Sequence, residues 1–544
     1  MLYILFIFFT LNYLILGCGY SMARAVYSRR GIFQDTWLEL IVIGSALLIL
    51  LISILGVVVA ILPIEIRQYF ALGCIVILVI INTYIFIKNR IFQIHLKAPT
   101  AQLILYMGFI TLTLLSIFIA NLPVKLPQNL ADGAYVAKAN VLPVRIQYIV
   151  GDLPADNSIP HVVSEYLLQN ISFKENSPIL PGQEVSNRPI LMSLVSLPFI
   201  ASLRAPHQLS GPLPKFSYVG QEWPDFRLLI QDVHSYRISL TVGIILNALM
   251  LLSVGVFVSS IFAISAPIAL ACTLSVVTSP FFLFQTIFIW PKAMAGFFLA
   301  LSIFLVLRKK DYFLGGLMMG LAYLSHPYAA AFVLGICLLF VFELLIKIMK
   351  LDPTLPSFVN LIQGLIIFCI SFGVLVVPWL IWIKLIIQLP PSNLIEQNLF
   401  IPGQSVINFL WVRVVNFSTT FLPFYWSRYP FDFRQFTLGS SVNAVGACGA
   451  LIYIFFLKFA LSFNVKKSYP ELMSIGLPAV FLIFIFSITT VPALHGLQFP
   501  IMAMLFLGCV QAFKTLGNAY GGILIYIQCI VNILLLTFYL RNLL

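Results

Sequence analysis

Hydrophobic runs of about twenty residues recur along the whole chain and are separated by short polar connectors. A helix of that length crosses the roughly 30 Å hydrocarbon core of a membrane. Because the runs are continuous and do not alternate apolar with polar positions, they favour helical spans over the strands of a membrane barrel. The pattern therefore predicts an all-α polytopic membrane protein with about fourteen spans, near 1–20, 38–62, 68–88, 101–121, 238–262, 266–288, 291–307, 312–325, 327–348, 359–386, 444–463, 472–490, 494–513 and 519–540.

Two long polar segments, 122–237 and 387–443, interrupt this pattern. Within the first, the apolar stretch 189–203 is expected to form an amphipathic helix along the membrane interface or a re-entrant helix. The second is rich in aromatic residues and contains the sequence FYWSRYPFDFR. We expect most of the residues outside the membrane to belong to these two segments.

Composition and charge support the same class. Of the 544 residues, 61% are hydrophobic and 9% are charged, whereas a soluble domain carries about a quarter charged residues. The net charge is +13, yet segment 122–237 holds nine acids and nine bases, so the excess lies mostly in the short connectors. That distribution follows the positive-inside rule and gives no sign of nucleic-acid binding. It predicts a multi-pass membrane protein with both long segments on the side away from the cytoplasm.

One lysine stands in a stretch of seventy residues without any other charge. Between Arg237 and Arg308 the only charged side chain is Lys292, which follows Pro291 in the sequence FIWPKAMAGFF. Proline is readily accommodated in the first turn of a helix, so Lys292 is expected in the first turn of the span 291–307. The helix macrodipole opposes an ammonium there. Two interpretations stay open: a lysine that snorkels towards lipid headgroups, or a site for an anion such as a lipid phosphate.

Two histidines fall next to predicted helix ends. The helix that begins near Tyr312 has about fourteen residues before His326, so it reaches only roughly 21 Å. Non-helical backbone at that depth is tolerated where it is buried in protein or lines a wet cavity. We therefore expect His326 to face a cavity just beneath the outer interface, at a level comparable with Lys292, although a packing histidine remains an alternative. His495 and Gln498, in HGLQFP, begin another span that points towards the same region.

A carboxylate opens the first long segment. Asp132 and Gly133 follow a span closely and predict a turn, which would hold the carboxylate near the membrane, where it can act as general base towards a sugar hydroxyl. A solvated turn aspartate is the alternative. The sequence does not choose a second carboxylate among those that follow in the segment: Asp152, Asp156, Glu165, Glu222, Asp225 and Asp232.

Arginine and aromatic side chains are frequent in the same two segments. Arginine suits bidentate phosphate contact, and Arg188 and Arg428 are candidates for it, although some arginines of this group must be interfacial anchors. Tyr236 belongs to a set of aromatics that either stack on sugar rings or form an interfacial belt.

The chain has no Walker lysine loop, GxGxxG, HExxH or His/Cys metal spacing. Its eight cysteines lie in apolar stretches and indicate no disulfide framework.

Taken together, Asp132-Gly133 after a span, the long segment 122–237 and the run from Trp290 to Gly335 resemble the GT-C superfamily of membrane glycosyltransferases. The likeness covers about residues 101–390, with 1–100 as additional N-terminal helices and 391–544 as a second outer loop with C-terminal helices. The chain departs from the pattern in its three preceding spans and in its single aspartate where an acidic pair is usual.

This resemblance implies an inverting transferase in a bacterial plasma membrane. The donor is a polyprenyl-phosphate-linked sugar, and the acceptor is an envelope glycan, a lipid or a protein. Asp132 would serve as base; Lys292, Arg188 and His326 would bind the donor phosphate. Glu222, Tyr236, Arg428, His495 and Gln498 would contact substrate. No cofactor is certain, and a divalent cation is compatible with the family.

Two other function classes remain open. A lipid-linked glycan ligase or polymerase also uses arginine and histidine with a polyprenyl donor, but it needs no carboxylate base. A lipid or polysaccharide transporter or flippase would be expected to show internal repeats, and the two halves of the chain show no convincing self-similarity.

Overall fold

The structure is a computed structural model that describes residues 2–28, 36–122, 155–177, 179, 185–187, 189–204, 213–218, 221–224, 229, 233–351, 355–389, 405–421, 424–425, 437–438, 449–462, 465–486 and 496–543. Within these ranges the regular secondary structure is helical apart from two short antiparallel hairpins. The hairpins pair β1 (Lys215–Tyr218) with β2 (Gln221–Pro224) and β3 (Phe424–Tyr425) with β4 (Thr437–Leu438).

The helices follow one another in chain order as α1 (Leu2–Leu14), α2 (Tyr20–Ser28), α3 (Trp37–Ile61), α4 (Ile64–Lys88), α5 (Ile91–Leu96), α6 (Thr100–Ala120), α7 (Ile159–Leu168), α8 (Leu191–Leu203), α9 (Val233–Ala248), α10 (Met250–Ser259), α11 (Ala266–Val277), α12 (Pro280–Ile287), α13 (Lys292–Phe304), α14 (Tyr312–Ser325), α15 (Ala329–Ile348), α16 (Phe358–Ile381), α17 (Val406–Phe421), α18 (Ala450–Leu461), α19 (Val465–Glu471), α20 (Leu477–Phe486) and α21 (Gln498–Leu543). Short π-helical turns extend four of them, at Ile15–Gly19, Leu305–Lys309, Trp382–Ile387 and Leu472–Gly476.

The described helices confirm a multi-pass membrane protein. Nine of them, counted with their continuous extensions, are long and apolar enough to cross a membrane, and α11 with α12 forms a further candidate bent by 66°. The predicted span 312–325 coincides with α14, and the predicted span 38–62 matches α3 closely. The last two predicted spans correspond to the two parts of α21, which non-helical backbone at Gly517 (φ of +75°) separates. The count of fourteen remains a prediction.

Each end of the helix bundle is held by polar side chains. At one end, here called the Arg67 end, Arg67 is 1% exposed and joins the turn after α3 to the C-terminus of α7. Its guanidinium donates to the carbonyls of Ala60, Leu62, Leu167 and Leu168 and to Oδ1 of Asn170, at 2.5–3.0 Å. All five of its N–H donors are therefore used.

The opposite end carries ion pairs between helices that are distant in sequence. Lys309 lies 2.8 Å from Glu39 at the start of α3, and Arg308 pairs with Glu471 at the end of α19. The N-terminus of α3 also has a capping box, in which the Thr36 hydroxyl accepts from the Glu39 N–H and the Glu39 carboxylate accepts from Thr36. This end therefore holds the basic connector that follows α13.

Helix α8 corresponds to the apolar stretch 189–203, and it is buried along its length from Leu191 to Ser202. It packs so closely on α3 that a Cβ at Gly56 would lie 2.0 Å from the Leu194 carbonyl oxygen. An amphipathic surface helix would leave one face exposed, so the burial does not fit that expectation. A helix inserted among the other helices, as in the re-entrant alternative, fits the packing.

The predicted additional helices at 1–100 are packed into the rest of the protein. Both α3 and α4 contact α8, which belongs to the predicted core 101–390. Within the N-terminal part, the buried Asn82 accepts from the N–H of Cys18 at 2.5 Å and donates to the Tyr13 carbonyl at 3.0 Å. Asn82 thereby satisfies the backbone at the Ile15–Gly19 π turn, where the ordinary helical hydrogen bonds are interrupted.

Candidate functional site

The candidate site is built around the interruption between α12 and α13, residues 288–291. Asn247 of α9 spans this interruption with one amide group. Its Nδ2 donates to the carbonyls of Thr286 at 3.2 Å and Phe288 at 3.0 Å, and its Oδ1 accepts from the Met294 N–H at 3.1 Å. Asn247 is 1% exposed. A single buried amide therefore satisfies the last carbonyls of one helix and a first-turn N–H of the next.

A second buried asparagine holds the same interruption from another side. Asn157 lies just before α7, and its Oδ1 accepts from the Ile289 N–H at 2.6 Å. Its Nδ2 donates to the hydroxyl of Tyr236 at 3.3 Å. Because Asn157 is also fully buried, the backbone that leads into Lys292 is held by two buried side chains, one on α9 and one in the turn before α7.

Lys292 is the first residue of α13 and is only 3% exposed. Its ammonium lies over the Trp290 ring, 4.2 Å from the ring centroid, and 5.5 Å from the centroid of Phe288. Both distances are within the range of cation–π attraction. A snorkelling lysine would extend to an exposed end, so its burial under aromatic rings does not fit the snorkelling interpretation.

The structure brings His326 to the same place. Its ring centroid is 5.3 Å from that of Trp290 and 4.9 Å from that of Tyr328. As predicted, α14 ends after fourteen residues at Ser325, and His326 follows in extended conformation. The histidine is 7% exposed and packs against the rings of Trp290 and Tyr328, which fits the alternative of a packing histidine. Trp290 is the shared contact of Lys292 and His326.

Tyr328 connects this pair to the start of α21. Its hydroxyl donates to the Lys292 carbonyl at 2.6 Å. A Cβ at Gly496, which has φ of +108°, would lie 2.6 Å from the Tyr328 ring. Gln498 is fully buried, donates to Oε1 of Gln285 at 3.0 Å and accepts from the Gly496 N–H at 3.1 Å. The predicted residue Gln498 therefore supports the site through backbone and side-chain contacts.

Tyr236, on α9, packs against buried polar side chains of α7. Its ring meets His161 edge-on with centroids 5.4 Å apart. One turn further, Glu165 lies 3.7 Å from His161 Nε2 and pairs with Arg204. Glu165, one of the carboxylates left open by the sequence, is fully buried and is placed in a structural ion pair. The spacing of four residues puts His161 and Glu165 on one face of α7, and Asn157 lies in the turn just before it.

Four predicted site residues lie outside the described residues: Asp132, Arg188, Arg428 and His495. Glu222 is in β2, where the structure describes its backbone pairing with Ser217. Among the described residues no group of three or more His, Cys, Asp and Glu side chains is placed to hold a metal ion. Of the nine predicted site residues, the structure therefore places the side chains of Lys292, His326, Tyr236 and Gln498.

Sequence reasoning missed three residues that shape the site: Asn157, Asn247 and Tyr328. A signal existed for Asn247, because an amide inside an apolar span must find hydrogen-bond partners within the protein. Asn157 had no such signal, since it lies in a polar segment where asparagine is common. Comparisons with protein-family models, curated proteins and solved structures found no match.

Proposed function

We propose that this chain is a membrane glycosyltransferase that transfers a sugar from a polyprenyl-phosphate donor to an envelope glycan, lipid or protein acceptor. The proposal includes a GT-C-like arrangement of about fourteen spans and a site that faces the periplasm or exterior of a bacterial plasma membrane. One observation carries it. The ammonium of Lys292 is buried at a helix interruption, against the same tryptophan ring as His326.

The burial of Lys292 matters because electrostatic attraction is stronger where water is excluded. In the proposed reaction, the acceptor hydroxyl attacks the anomeric carbon of the sugar while the bond from that carbon to the phosphate oxygen breaks. The phosphate then gains a negative charge as it leaves, and a fixed cation stabilises that charge most in the transition state. Lys292 supplies this cation, and Arg188 is the proposed second one.

The remaining roles follow from the chemistry of the side chains. Asp132 takes the proton of the acceptor hydroxyl as general base, and His326, whose ring packs at an angle against Trp290, positions the donor phosphate. Glu222, Arg428 and His495 are proposed substrate contacts. Tyr236 and Gln498 are buried and hydrogen-bonded to protein groups, so we assign them the support of the site and not direct contact with substrate.

The test is turnover of a radiolabelled polyprenyl-phosphate sugar by purified protein, with the sugar first identified by mass spectrometry of lipid-linked sugars that accumulate in a deletion strain. We expect Lys292→Gln to lower kcat by about 100-fold or more, the usual effect of removing one group that stabilises developing charge. Lys384→Gln is the matched control, because Lys384 is exposed.

Asp132→Asn separates the proposal from its rivals. Loss of transfer supports a base-dependent transferase, whereas full transfer by this variant would indicate a ligase or polymerase. Donor that crosses vesicles without being consumed would indicate a transporter. Equal kcat for wild type and Lys292→Gln would remove the central argument, since the buried ammonium would then have no part in phosphate departure.

A further inference from the structure

An apolar groove runs along the bundle between α3, α8, α14 and α16, on the side of α8 away from Lys292. Its volume is about 450 Å³. Val57, Leu194, Leu324 and Val374 are among its walls, and Trp382 lies at its Arg67 end. We call this space the α3–α16 groove.

The groove is continuous with the surface that faces lipid. Val57 is 44% exposed and Val374 is 61% exposed, although both line it. The hydroxyl of Ser53, a polar side chain in the wall, donates to the Leu50 carbonyl at 2.7 Å, so it is satisfied within its own helix. Empty apolar space forfeits dispersion contacts, and water has too few polar partners to occupy it. The surroundings that match this groove are hydrocarbon chains.

A positive charge lies near the mouth of the groove. Phe173 packs edge-on against Trp382 with ring centroids 5.4 Å apart, and Lys174 follows it in sequence. The Lys174 ammonium is exposed and donates to the neutral amide of Gln388 at 2.8 Å. Glu175 is the neighbouring acid, and no ion pair joins it to Lys174 among the described residues. An exposed ammonium one residue from a ring that packs on an interfacial tryptophan is suited to headgroup contact at a membrane surface.

The occupant of the groove differs from the ligand proposed at Lys292. Leu191 and Leu194 of α8 face the groove, whereas the sulfur of Met192 lies 3.6 Å from the Cβ position of Gly243, beside Ile289. Helix α8 therefore stands between the groove and the interruption that precedes Lys292. A groove ligand and a Lys292 ligand occupy separate places, so the following proposal does not rest on the proposed function.

We propose that the α3–α16 groove binds one phospholipid of the surrounding bilayer, with an acyl chain along its apolar wall and the phosphate at Lys174. The apolar lining selects the chain, and the ammonium at the Arg67 end sets the position of the headgroup. Bound there, the lipid fills the space between α3 and α16 and supports α8 from the side opposite to the candidate site.

The experiment is native mass spectrometry of the purified full-length protein after reconstitution with dioleoyl-phosphatidylglycerol. Val374→Trp fills the groove from an exposed position, and Lys174→Glu reverses the charge at its mouth. We expect wild type to retain one phosphatidylglycerol molecule and each variant to retain at least about tenfold less. For Lys174→Glu this follows from the change of two charge units beside an anionic headgroup.

Matched controls distinguish the groove from ordinary surrounding lipid. Ile523→Trp fills a second apolar depression lined by Leu270 and Ile523, and Lys458→Glu reverses an exposed charge on α18; both should retain lipid as wild type does. Equal loss in the controls, or unchanged retention in both groove variants, overturns the proposal. Preferential retention of undecaprenyl phosphate in a competition overturns it as well, because the groove would then hold a carrier lipid. Val57→Trp repeats the filling test if Val374→Trp does not fold.

Discussion

Replacement of Arg67 is expected to weaken the whole protein, because this side chain joins three parts of the chain through all five of its donors. Two of its acceptors lie at the end of α3 and two at the end of α7. A positive charge at helix C-termini is favourable in itself. Arg67→Met removes that charge and leaves buried carbonyls without a donor.

The magnitude follows from these contacts. Four backbone carbonyls and the Asn170 amide oxygen lose their donor; at about 1 kcal/mol for each lost hydrogen bond, we expect Arg67→Met to lower the free energy of unfolding by about 4–5 kcal/mol. Arg67→Lys keeps the charge but has three donors for five acceptors. Two unsatisfied acceptors at about 1 kcal/mol each give a loss of about 2 kcal/mol.

The assay is unfolding in mixed detergent micelles, followed by tryptophan fluorescence, with amide exchange of residues 159–168 as a local measurement. Arg541→Met is the control, since Arg541 is exposed at the end of α21. We expect the order of stability to be control, then Arg67→Lys, then Arg67→Met, with faster exchange in α7. A value for Arg67→Met equal to that of the control would refute the reasoning, because the five contacts would then carry no net stability.

Three further predictions test other parts of the structure. Asn247→Ala should lower the free energy of unfolding by about 3 kcal/mol, since three buried hydrogen bonds are lost at about 1 kcal/mol each; unfolding in detergent measures it, and an unchanged midpoint would contradict it. Gly44→Ala should lower the free energy of unfolding by about 1–3 kcal/mol, because the added Cβ would lie 2.2 Å from the Gly19 carbonyl oxygen. Gly73→Ala, which adds a Cβ in open space, should leave the free energy of unfolding unchanged or raise it slightly. Burial lowers the pKa of His95, against a smaller opposite effect of its backbone hydrogen bond. As pH falls below about 6.5, the unfolded chain therefore takes up the proton first, and the free energy of unfolding should decrease. His95→Gln should show a smaller decrease between pH 8 and pH 5.5.

The pH prediction has a structural basis in the connector between α4 and α6. His95 Nδ1 accepts from the indole N–H of Trp37 at 2.7 Å, and its Nε2 lies 3.1 Å from the Leu16 carbonyl oxygen. This arrangement requires a neutral ring, because a protonated Nδ1 has no lone pair for Trp37. Protonation would break a contact that joins α3 to the N-terminal helices.

Hydrophobic length explains why so much of the helical architecture was predictable. A membrane span must satisfy its backbone hydrogen bonds within the protein, so a long continuous apolar run predicts a helix and leaves few alternative structures. The shortness of α14 was visible for the same reason, because Pro327 limits the helix that precedes His326. The approach of His326 to Lys292 followed from two helix ends expected at similar depth.

Apolar sequence carries less information about the partners of a helix. Stretch 189–203 has no feature that distinguishes a surface position from the buried one that α8 occupies, and Gly56 acquires its meaning only from contact with Leu194. Asn157 and Asn247 were likewise invisible as a pair, since they are ninety residues apart and meet only through the backbone that leads to Lys292.

The sequence by itself determined the membrane class, the approximate helix boundaries and the unusual charge at Lys292, because these depend on local hydrophobic length and on where charge is excluded. Only the tertiary structure decided that Lys292 is buried under Trp290 beside His326, that Arg67 joins α3 to α7, and that α8 separates an apolar groove from the candidate site. These features depend on side chains that are far apart in the chain and brought together by packing, which no local pattern records.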